Sequence, residues 1–146
     1  MDFDVWKELD LLLRLFAGMA AGIVVGWERT KKQRAAGIRT FGLVGLGTAA
    51  AATIFSDPSE GDAASRVVQG LLTGIGFLGA GVIVLRRGDT TPTGLTTAAA
   101  IWVTAALGCA AGLGDFAIVL TATLLTVGLL VVDHSIERRA GRAADD

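Results

Sequence analysis

Charged residues are scarce in this chain, and their placement argues against an ordinary water-soluble domain. Asp, Glu, Lys and Arg make up 18% of the 146 residues, whereas hydrophobic residues make up 52%. Long apolar stretches separate short charged segments, and a soluble domain would alternate the two more finely. The first residues are acidic rather than basic, with Asp2, Asp4 and Glu8, so we expect no cleavable signal peptide.

Side chains that could carry chemistry are equally few. The single cysteine, Cys109, lies in an apolar stretch, which excludes a disulfide within one chain and predicts a small packing residue. The single histidine, His134, lies beside Asp133 and is expected at the surface. Because no cluster of nucleophile, base or metal ligands is visible, we predict that the protein is not an enzyme and holds no cofactor.

One glycine string matches a nucleotide-binding pattern without its context. Gly74-Ile-Gly76-Phe-Leu-Gly79 has the spacing G-x-G-x-x-G, but it lies inside an apolar run and no acidic residue lies near position 100. The dinucleotide motif needs a preceding strand and an acid about twenty residues on. We therefore interpret the string as helix packing and expect no nucleotide or nucleic-acid partner.

Five apolar runs account for most of the chain, and all but the first are free of ionisable residues. A helix of nineteen residues is roughly 28 Å long, enough to cross a bilayer core. The runs are Leu9–Trp27, Thr40–Phe55, Val67–Leu85, Leu95–Leu113 and Phe116–Val132. They predict an all-α, polytopic membrane protein with five transmembrane helices in residues 1–134, followed by a short cytoplasmic tail at 135–146.

Basic residues predict the orientation in the membrane. Ten of the 13 Lys and Arg residues lie in the first loop, the third loop and the tail, and three lie on the other side. Short loops rich in Lys and Arg stay in the cytoplasm. We therefore place the N-terminus outside and the C-terminus in the cytoplasm.

The third run, Val67–Leu85, has one small, polar face and one bulky face. The small face combines two neighbouring lines of residues: Gly70, Gly74 and Gly81, and Gln69, Thr73, Gly76 and Ala80. Small residues let membrane helices approach closely, and polar ones bond across the contact, so Gln69 and Thr73 are candidate polar intramembrane residues. Gly79 falls among the bulky residues, and the pattern leaves open whether the helix is continuous or broken there.

The first run carries a second small-residue ladder at Gly18, Gly22 and Gly26. Two such faces exceed what five helices need internally, so we predict a homo-oligomer, most simply a two-fold dimer. We expect Gly74→Leu to disturb packing more than Gly22→Leu, because it strikes the central segment. Near the first ladder, Asp10 and Arg14 have the spacing of a helical ion pair, or Arg14 reaches the outer surface instead.

The second loop is acidic and offers only a weak metal candidate. Asp57, Glu60 and Asp62 supply hard oxygen ligands, but their spacing matches no dedicated calcium loop. A solvated turn is the favoured interpretation, and we predict no metal site.

Several motifs, taken in order, resemble those of the MgtC/SapB family of bacterial membrane proteins. The matching pieces span roughly residues 14–116 and are Gly22-xxx-Gly26-Trp-Glu28-Arg29, Ala36-Gly37-Ile-Arg39-Thr40, Gly74-Ile-Gly76-Phe-Leu-Gly79-Ala-Gly81 and Gly94-Leu-Thr96-Thr97-Ala-Ala with Trp102. Two departures are visible: Gly70 stands where the family's better-known form has glutamine, and the chain ends in a short tail where that form has a cytoplasmic domain.

The resemblance implies a small inner-membrane protein associated with adaptation to low magnesium and, in pathogens, with survival inside host cells. It implies a regulator that acts through helix contacts with itself and other membrane proteins; the alternative is a transporter or channel for magnesium or another cation. The family match runs through a predicted functional rim at the cytoplasmic helix ends, made of Glu28, Arg29, Arg39, Thr40, Thr96 and Thr97. There we expect Glu28 to pair with a basic neighbour such as Arg39.

Overall fold

Five α-helices form the regular structure in the computed structural model, which describes residues 4–57, 59, 61–84 and 92–131. They are α1 (Val5–Lys31), α2 (Ile38–Thr53), α3 (Gly61–Gly81), α4 (Leu95–Gly112) and α5 (Phe116–Val131). Within these ranges the only β-type pairing is an isolated bridge between Val84 and Thr93. The predicted all-α class with five helices is confirmed. The predicted tail at 135–146 lies outside the described residues.

Helix bounds differ from the apolar runs most clearly in α3. This helix begins at Gly61 rather than Val67 and ends at Gly81 rather than Leu85, because backbone hydrogen bonding continues into the polar residues before the run. It is continuous across all its glycines, including Gly79. In α1, the chain becomes helical already at Val5, where the side chain of Asp4 accepts a hydrogen bond from the backbone N–H of Trp6 at 3.2 Å.

Helices α1, α2 and α4 pack against one another to form the centre of the molecule. Their shared core is apolar and fully enclosed at Val25, Phe41 and Ile101. Helix α5 lies against α1 and α4, while α3 contacts mainly α4. Only Ile75 and Gly79 of α3 are buried, so this helix is the most loosely enclosed of the five.

Glycines bring the central helices into backbone contact. A Cβ atom on Gly22 would overlap the carbonyl oxygen of Phe41, and one on Gly18 would lie 2.7 Å from the carbonyl oxygen of Gly45. The same Gly45 oxygen would lie 2.6 Å from a Cβ on Gly108 of α4. Real Cβ atoms do not approach this closely, so α2 is held between α1 and α4 at positions where only glycine fits.

Arg14 joins α1 to the end of α4. Its Nε donates to Asp10 at 2.7 Å, which confirms the expected ion pair, and its Nη1 donates to the carbonyl oxygen of Gly112 at 2.9 Å. The last carbonyl groups of a helix lack intrahelical partners and carry partial negative charge, so a guanidinium group there stabilises the helix end. Arg14 therefore does more than reach towards the outer surface.

The outer surface of the molecule is apolar, the reverse of a water-soluble protein. Large hydrophobic side chains on several helices are more than 60% exposed, among them Phe16, Leu43, Phe77, Leu125 and Leu129. Two helices, α1 and α4, are long and apolar enough to cross a membrane, and α5 is a shorter apolar helix. An apolar exterior over a core of small residues is typical of membrane helix packing.

Candidate functional site

A cavity of about 630 Å³ lies where the end of α1, the α1–α2 loop and the start of α4 converge. We call it the rim pocket. Its polar lining is made of Arg29, Gln33, Arg34, Thr93, Thr96 and Thr97. Val82 and Val84, just beyond the end of α3, close another side. Among the lining residues that the structure describes none is acidic, and the charged ones are the cations Arg29 and Arg34.

The α1–α2 loop is pinned so that its polar residues face the pocket. The hydroxyl of Thr30 donates to the carbonyl oxygen of Gly26 and accepts from the backbone N–H of Ile38, both at 2.9 Å. These bonds tie the beginning of α2 to the last turn of α1. Between them the chain reverses through Gln33, which adopts a left-handed conformation with φ of 50°.

Gly94 lies in the pocket wall as the N-cap residue of α4. It has φ of 94°, and a Cβ there would overlap the carbonyl oxygen of Val82, so only glycine fits. Just before it, Thr93 and Val84 exchange backbone hydrogen bonds of 2.9 and 3.0 Å. Because glycine has no side chain to cap a helix, no side-chain hydrogen bond covers the first N–H groups of α4.

Glu28 and Arg29 form a largely buried charged pair at the end of α1. They are 9% and 3% exposed, and Nε of Arg29 donates to Oε2 of Glu28. Lys32 lies one turn further on, with its Nζ atom 2.9 Å from Oε1 of Glu28 and 3.0 Å from the carbonyl oxygen of Leu130 in α5. One carboxylate thus faces two cations, and the cluster links α1 to the last turn of α5.

Comparison with known proteins assigns the chain to a family. The MgtC family model matches residues 15–139. The chain belongs to the MgtC family. It is 42% identical to protein SrpB of Synechococcus elongatus over 132 residues, covering 82% of this chain and 72% of SrpB. No solved structure matches the chain. The resemblance drawn from the motifs is confirmed.

Two further relatives are longer than this MgtC-family chain. Protein MgtC of Salmonella typhimurium is 42% identical over 114 residues, covering 78% of this chain and 48% of MgtC. Escherichia coli YhiD, whose name marks it as a candidate magnesium transporter, is 35% identical over 138 residues, covering 89% of this chain and 63% of YhiD. The chain therefore spans about half the length of Salmonella MgtC. The family and the two apolar helices point to a membrane protein.

The predicted functional rim of this MgtC-family chain is divided between two places. The rim pocket is lined by Arg29, Thr96 and Thr97. Glu28 contributes indirectly, because its carboxylate accepts a hydrogen bond from Arg29. Arg39 and Thr40 instead line a separate groove between α2 and α3, with Leu43, Ile75 and Leu78. The expected pairing of Glu28 with Arg39 is wrong, because Glu28 is held by Arg29 and Lys32 on its own helix.

Sequence reasoning missed three contributors to the site. Lys32 follows Glu28 by four residues, the spacing of a helical ion pair, so this contact could have been predicted from the sequence. Arg34 was not among the predicted site residues, and it lines the pocket. The role of Gly94 depends on its positive φ and on the approach of Val82, which spacing alone does not reveal.

The glycines of α1 and α3 are placed differently. Gly18, Gly22 and Gly26 of α1 all contact α2. In α3, Cβ atoms built on Gly70, Gly74, Gly76 and Gly81 would meet no atom of the described residues within 4 Å. Gln69 and Thr73 are exposed on that helix, and the Thr73 hydroxyl donates to the carbonyl oxygen of Gln69 at 2.7 Å. We call the surface made by Gln69, Gly70, Thr73, Gly74, Gly76 and Gly81 the α3 glycine face.

The acidic loop does not assemble into a metal centre among the residues that can be described. No group of three His, Cys, Asp or Glu side chains converges in those ranges. Asp57 accepts hydrogen bonds from the hydroxyl and the backbone N–H of Ser59, at 2.6 and 2.8 Å, and these bonds lower the pKa of its carboxyl group. Asp62 lies in the first turn of α3, and Glu60 lies outside the described residues.

Proposed function

We propose that this protein is a regulatory protein of the bacterial inner membrane that acts through helix contacts during adaptation to low magnesium. The α3 glycine face carries the proposal. Every glycine of α1 is in contact with α2, whereas a Cβ atom on any of the four glycines of the α3 glycine face would meet no described atom within 4 Å. In a membrane, a stripe of small residues bordered by Gln and Thr is a surface on which another helix packs closely.

The first occupant of this face, in our proposal, is a second copy of the chain. In a two-fold dimer the same surface is used by both subunits, so one glycine stripe supplies both halves of the contact. Gln69 and Thr73 would then lie beside the same residues of the other copy and could bond across it. Contacts with other membrane proteins would use the same face, and regulation would follow from competition between the two. No catalytic step is part of this proposal.

The experiment compares two exposed glycines. Gly74→Leu adds bulk on the α3 glycine face, and Gly128→Leu adds the same bulk on α5, where a Cβ also meets nothing within 4 Å. We expect the unaltered chain and Gly128→Leu to have the mass of a dimer in detergent, measured by light scattering. Gly74→Leu should have the mass of a monomer and should lose growth rescue in magnesium-poor medium. A monomeric mass for the unaltered chain at every concentration contradicts the proposal.

We further propose a multi-pass topology with five spans, the N-terminus outside and the C-terminus inside. The distribution of basic residues and the apolar exterior support it. The test places single cysteines at Ser59 and Gln33 in a Cys109→Ala background. In intact cells an impermeant thiol reagent should label position 59 and spare position 33. Labelling of position 33 alone would reverse the orientation.

Cation transport is the second candidate, favoured by the name of the relative YhiD. Against it, α2 beyond Arg39, α4 and α5 contain no ionisable side chain, and magnesium prefers carboxylate and water oxygens. Purified protein in liposomes containing a magnesium-sensitive dye separates the two functions. Protein-dependent magnesium entry would support transport, and its absence alongside growth rescue in cells would support regulation.

A further inference from the structure

We propose that the rim pocket binds a phosphoryl oxyanion. Its source is either the headgroup of an anionic phospholipid or a soluble phosphate compound. The proposal rests on the walls of the pocket and is independent of the α3 glycine face. Four features of the structure support it: unbalanced charge, an uncapped helix start, side-chain donors of the wall that have no partner among the described residues, and a suitable volume.

The charge around the pocket is unbalanced. Glu28 is the one described carboxylate of the cluster, and it faces both Arg29 and Lys32. Arg34 adds a further cation to the pocket wall. A buried charge is stable only when an opposite charge or hydrogen bonds compensate it. The excess positive charge therefore favours an anion inside the pocket and disfavours a metal cation.

The first turn of α4 adds a second attraction for an anion. α4 has 18 residues, and its N-cap is Gly94, which supplies no side-chain hydrogen bond. The first N–H groups of a helix lack intrahelical partners, and the helix dipole places partial positive charge there. The turn formed by Leu95, Thr96 and Thr97 lines the pocket, so these N–H groups lie at its wall.

Two buried side chains on the pocket wall have unused donors. Arg29 is 3% exposed and donates to Glu28 through Nε, and its two Nη atoms have no hydrogen-bond partner among the described residues. Thr97 is 2% exposed, and within the same ranges its hydroxyl makes no hydrogen bond. An oxyanion accepts several such bonds at once, and a guanidinium group matches its geometry with two parallel ones.

The volume suits a ligand larger than a single ion. At about 630 Å³ the pocket lies within the usual range for small-molecule sites. A phosphate group would occupy the part between Arg29, Arg34 and the first turn of α4. The remaining space, beside Val82 and Val84, would take the group that carries the phosphate. This apolar side suits a glycerol backbone as well as a nucleoside.

The test uses the full chain, purified and delipidated in a phosphate-free maltoside detergent. Isothermal titration calorimetry with inorganic phosphate should show saturable binding. Arg34→Gln removes an exposed cation of the wall and should weaken binding about tenfold. Thr97→Val removes a hydroxyl that has no partner among the described residues and should weaken binding about threefold. Lys31→Gln is the matched control, since Lys31 lies over the ring of Trp27, outside the pocket.

Two arms identify the source of the phosphoryl group. Native mass spectrometry of the non-delipidated protein should retain phosphatidylglycerol, and lose it in Arg34→Gln, if the ligand is a lipid headgroup. Phosphate binding that persists unchanged in nanodiscs of phosphatidylcholine with added phosphatidylglycerol indicates a soluble compound instead. The proposal is overturned if neither phosphate nor phosphatidylglycerol binds. It is equally overturned if Lys31→Gln weakens binding as much as Arg34→Gln does.

Discussion

Helices α1 and α3 carry similar glycine ladders and use them in opposite ways. In α1, Gly18, Gly22 and Gly26 press against the backbone of α2. In α3, Gly70, Gly74 and Gly81 face open space, and the helix is held mainly through Ile75 and Gly79. A small-residue stripe therefore shows that close packing is available on a helix face. It does not show whether the chain itself uses that face.

This difference reverses the expected order of severity for leucine substitutions within one chain. The sequence suggested that Gly74→Leu would disturb packing more than Gly22→Leu. Because Gly22 contacts the backbone of α2 and Gly74 contacts nothing described, we expect folding to depend on Gly22 and, in our proposal, assembly to depend on Gly74. The three predictions below test this division, beginning with the largest effect.

Gly22→Leu should abolish the stable fold. Its Cβ would overlap the carbonyl oxygen of Phe41 and lie 2.8 Å from the carbonyl carbon, and backbone atoms cannot move aside as a flexible side chain can. We expect a loss of about 4 kcal/mol or more in the free energy of unfolding. Thermal unfolding in detergent, followed by circular dichroism, measures it. A melting temperature equal to that of Gly74→Leu would remove the distinction between the two ladders.

Removing a charged side chain should destabilise the fold more at the end of α1 than at the start of α3. Glu28→Ala, at the end of α1, leaves Arg29 and Lys32 facing each other at a largely buried site, so we expect a loss of about 3 kcal/mol. Asp62→Ala, in the exposed first turn of α3, should change stability by less than about 0.5 kcal/mol. The comparison uses denaturant titration at constant detergent concentration. Equal effects at both positions would show that the Glu28 cluster does not hold α1 to α5.

Alanine substitutions should have opposite signs on the two ladders. Gly74→Ala adds a methyl group in open space and improves helix propensity, which stabilises α3 by up to about 1 kcal/mol. Gly22→Ala gains the same propensity but forces the new methyl group into Phe41, so it should destabilise the fold. The melting temperatures of the two variants, measured at a dilution in detergent at which the unaltered chain is monomeric, provide the measurement. Two shifts of the same sign would contradict the contrast.

Much of the fold could be predicted from the sequence, because apolar runs broken by charged loops show where helices lie. The bounds were less predictable: α3 starts at Gly61 since hydrogen bonding of the backbone does not require apolar side chains. The face that α3 uses was also unpredictable. Gly79, which did not fit the small face, is the glycine of α3 that faces another helix among the described residues: a Cβ built on it would lie 3.6 Å from the Cβ of Ala98.

The candidate site was predictable only in part, for a related reason. Sequence reasoning found Glu28, Arg29, Thr96 and Thr97, because the family motifs run through them. It misjudged Arg39, since helix ends that share one side of a membrane need not meet. The distance between them is set by helix packing, and here α2 turns Arg39 towards α3 and away from Glu28.

The carbonyl oxygen of Gly45, enclosed by Gly18 on one side and Gly108 on the other, has a consequence for how this family can diverge. A substitution at Gly18 or Gly108 adds a carbon atom for which this contact has no room. Variants at these positions would fail to fold and would be lost by selection. The α3 glycine face lies outside that constraint. A lineage can therefore exchange residues at Gly70 or Gly74, and with them the surface that α3 presents, while every intermediate sequence still folds.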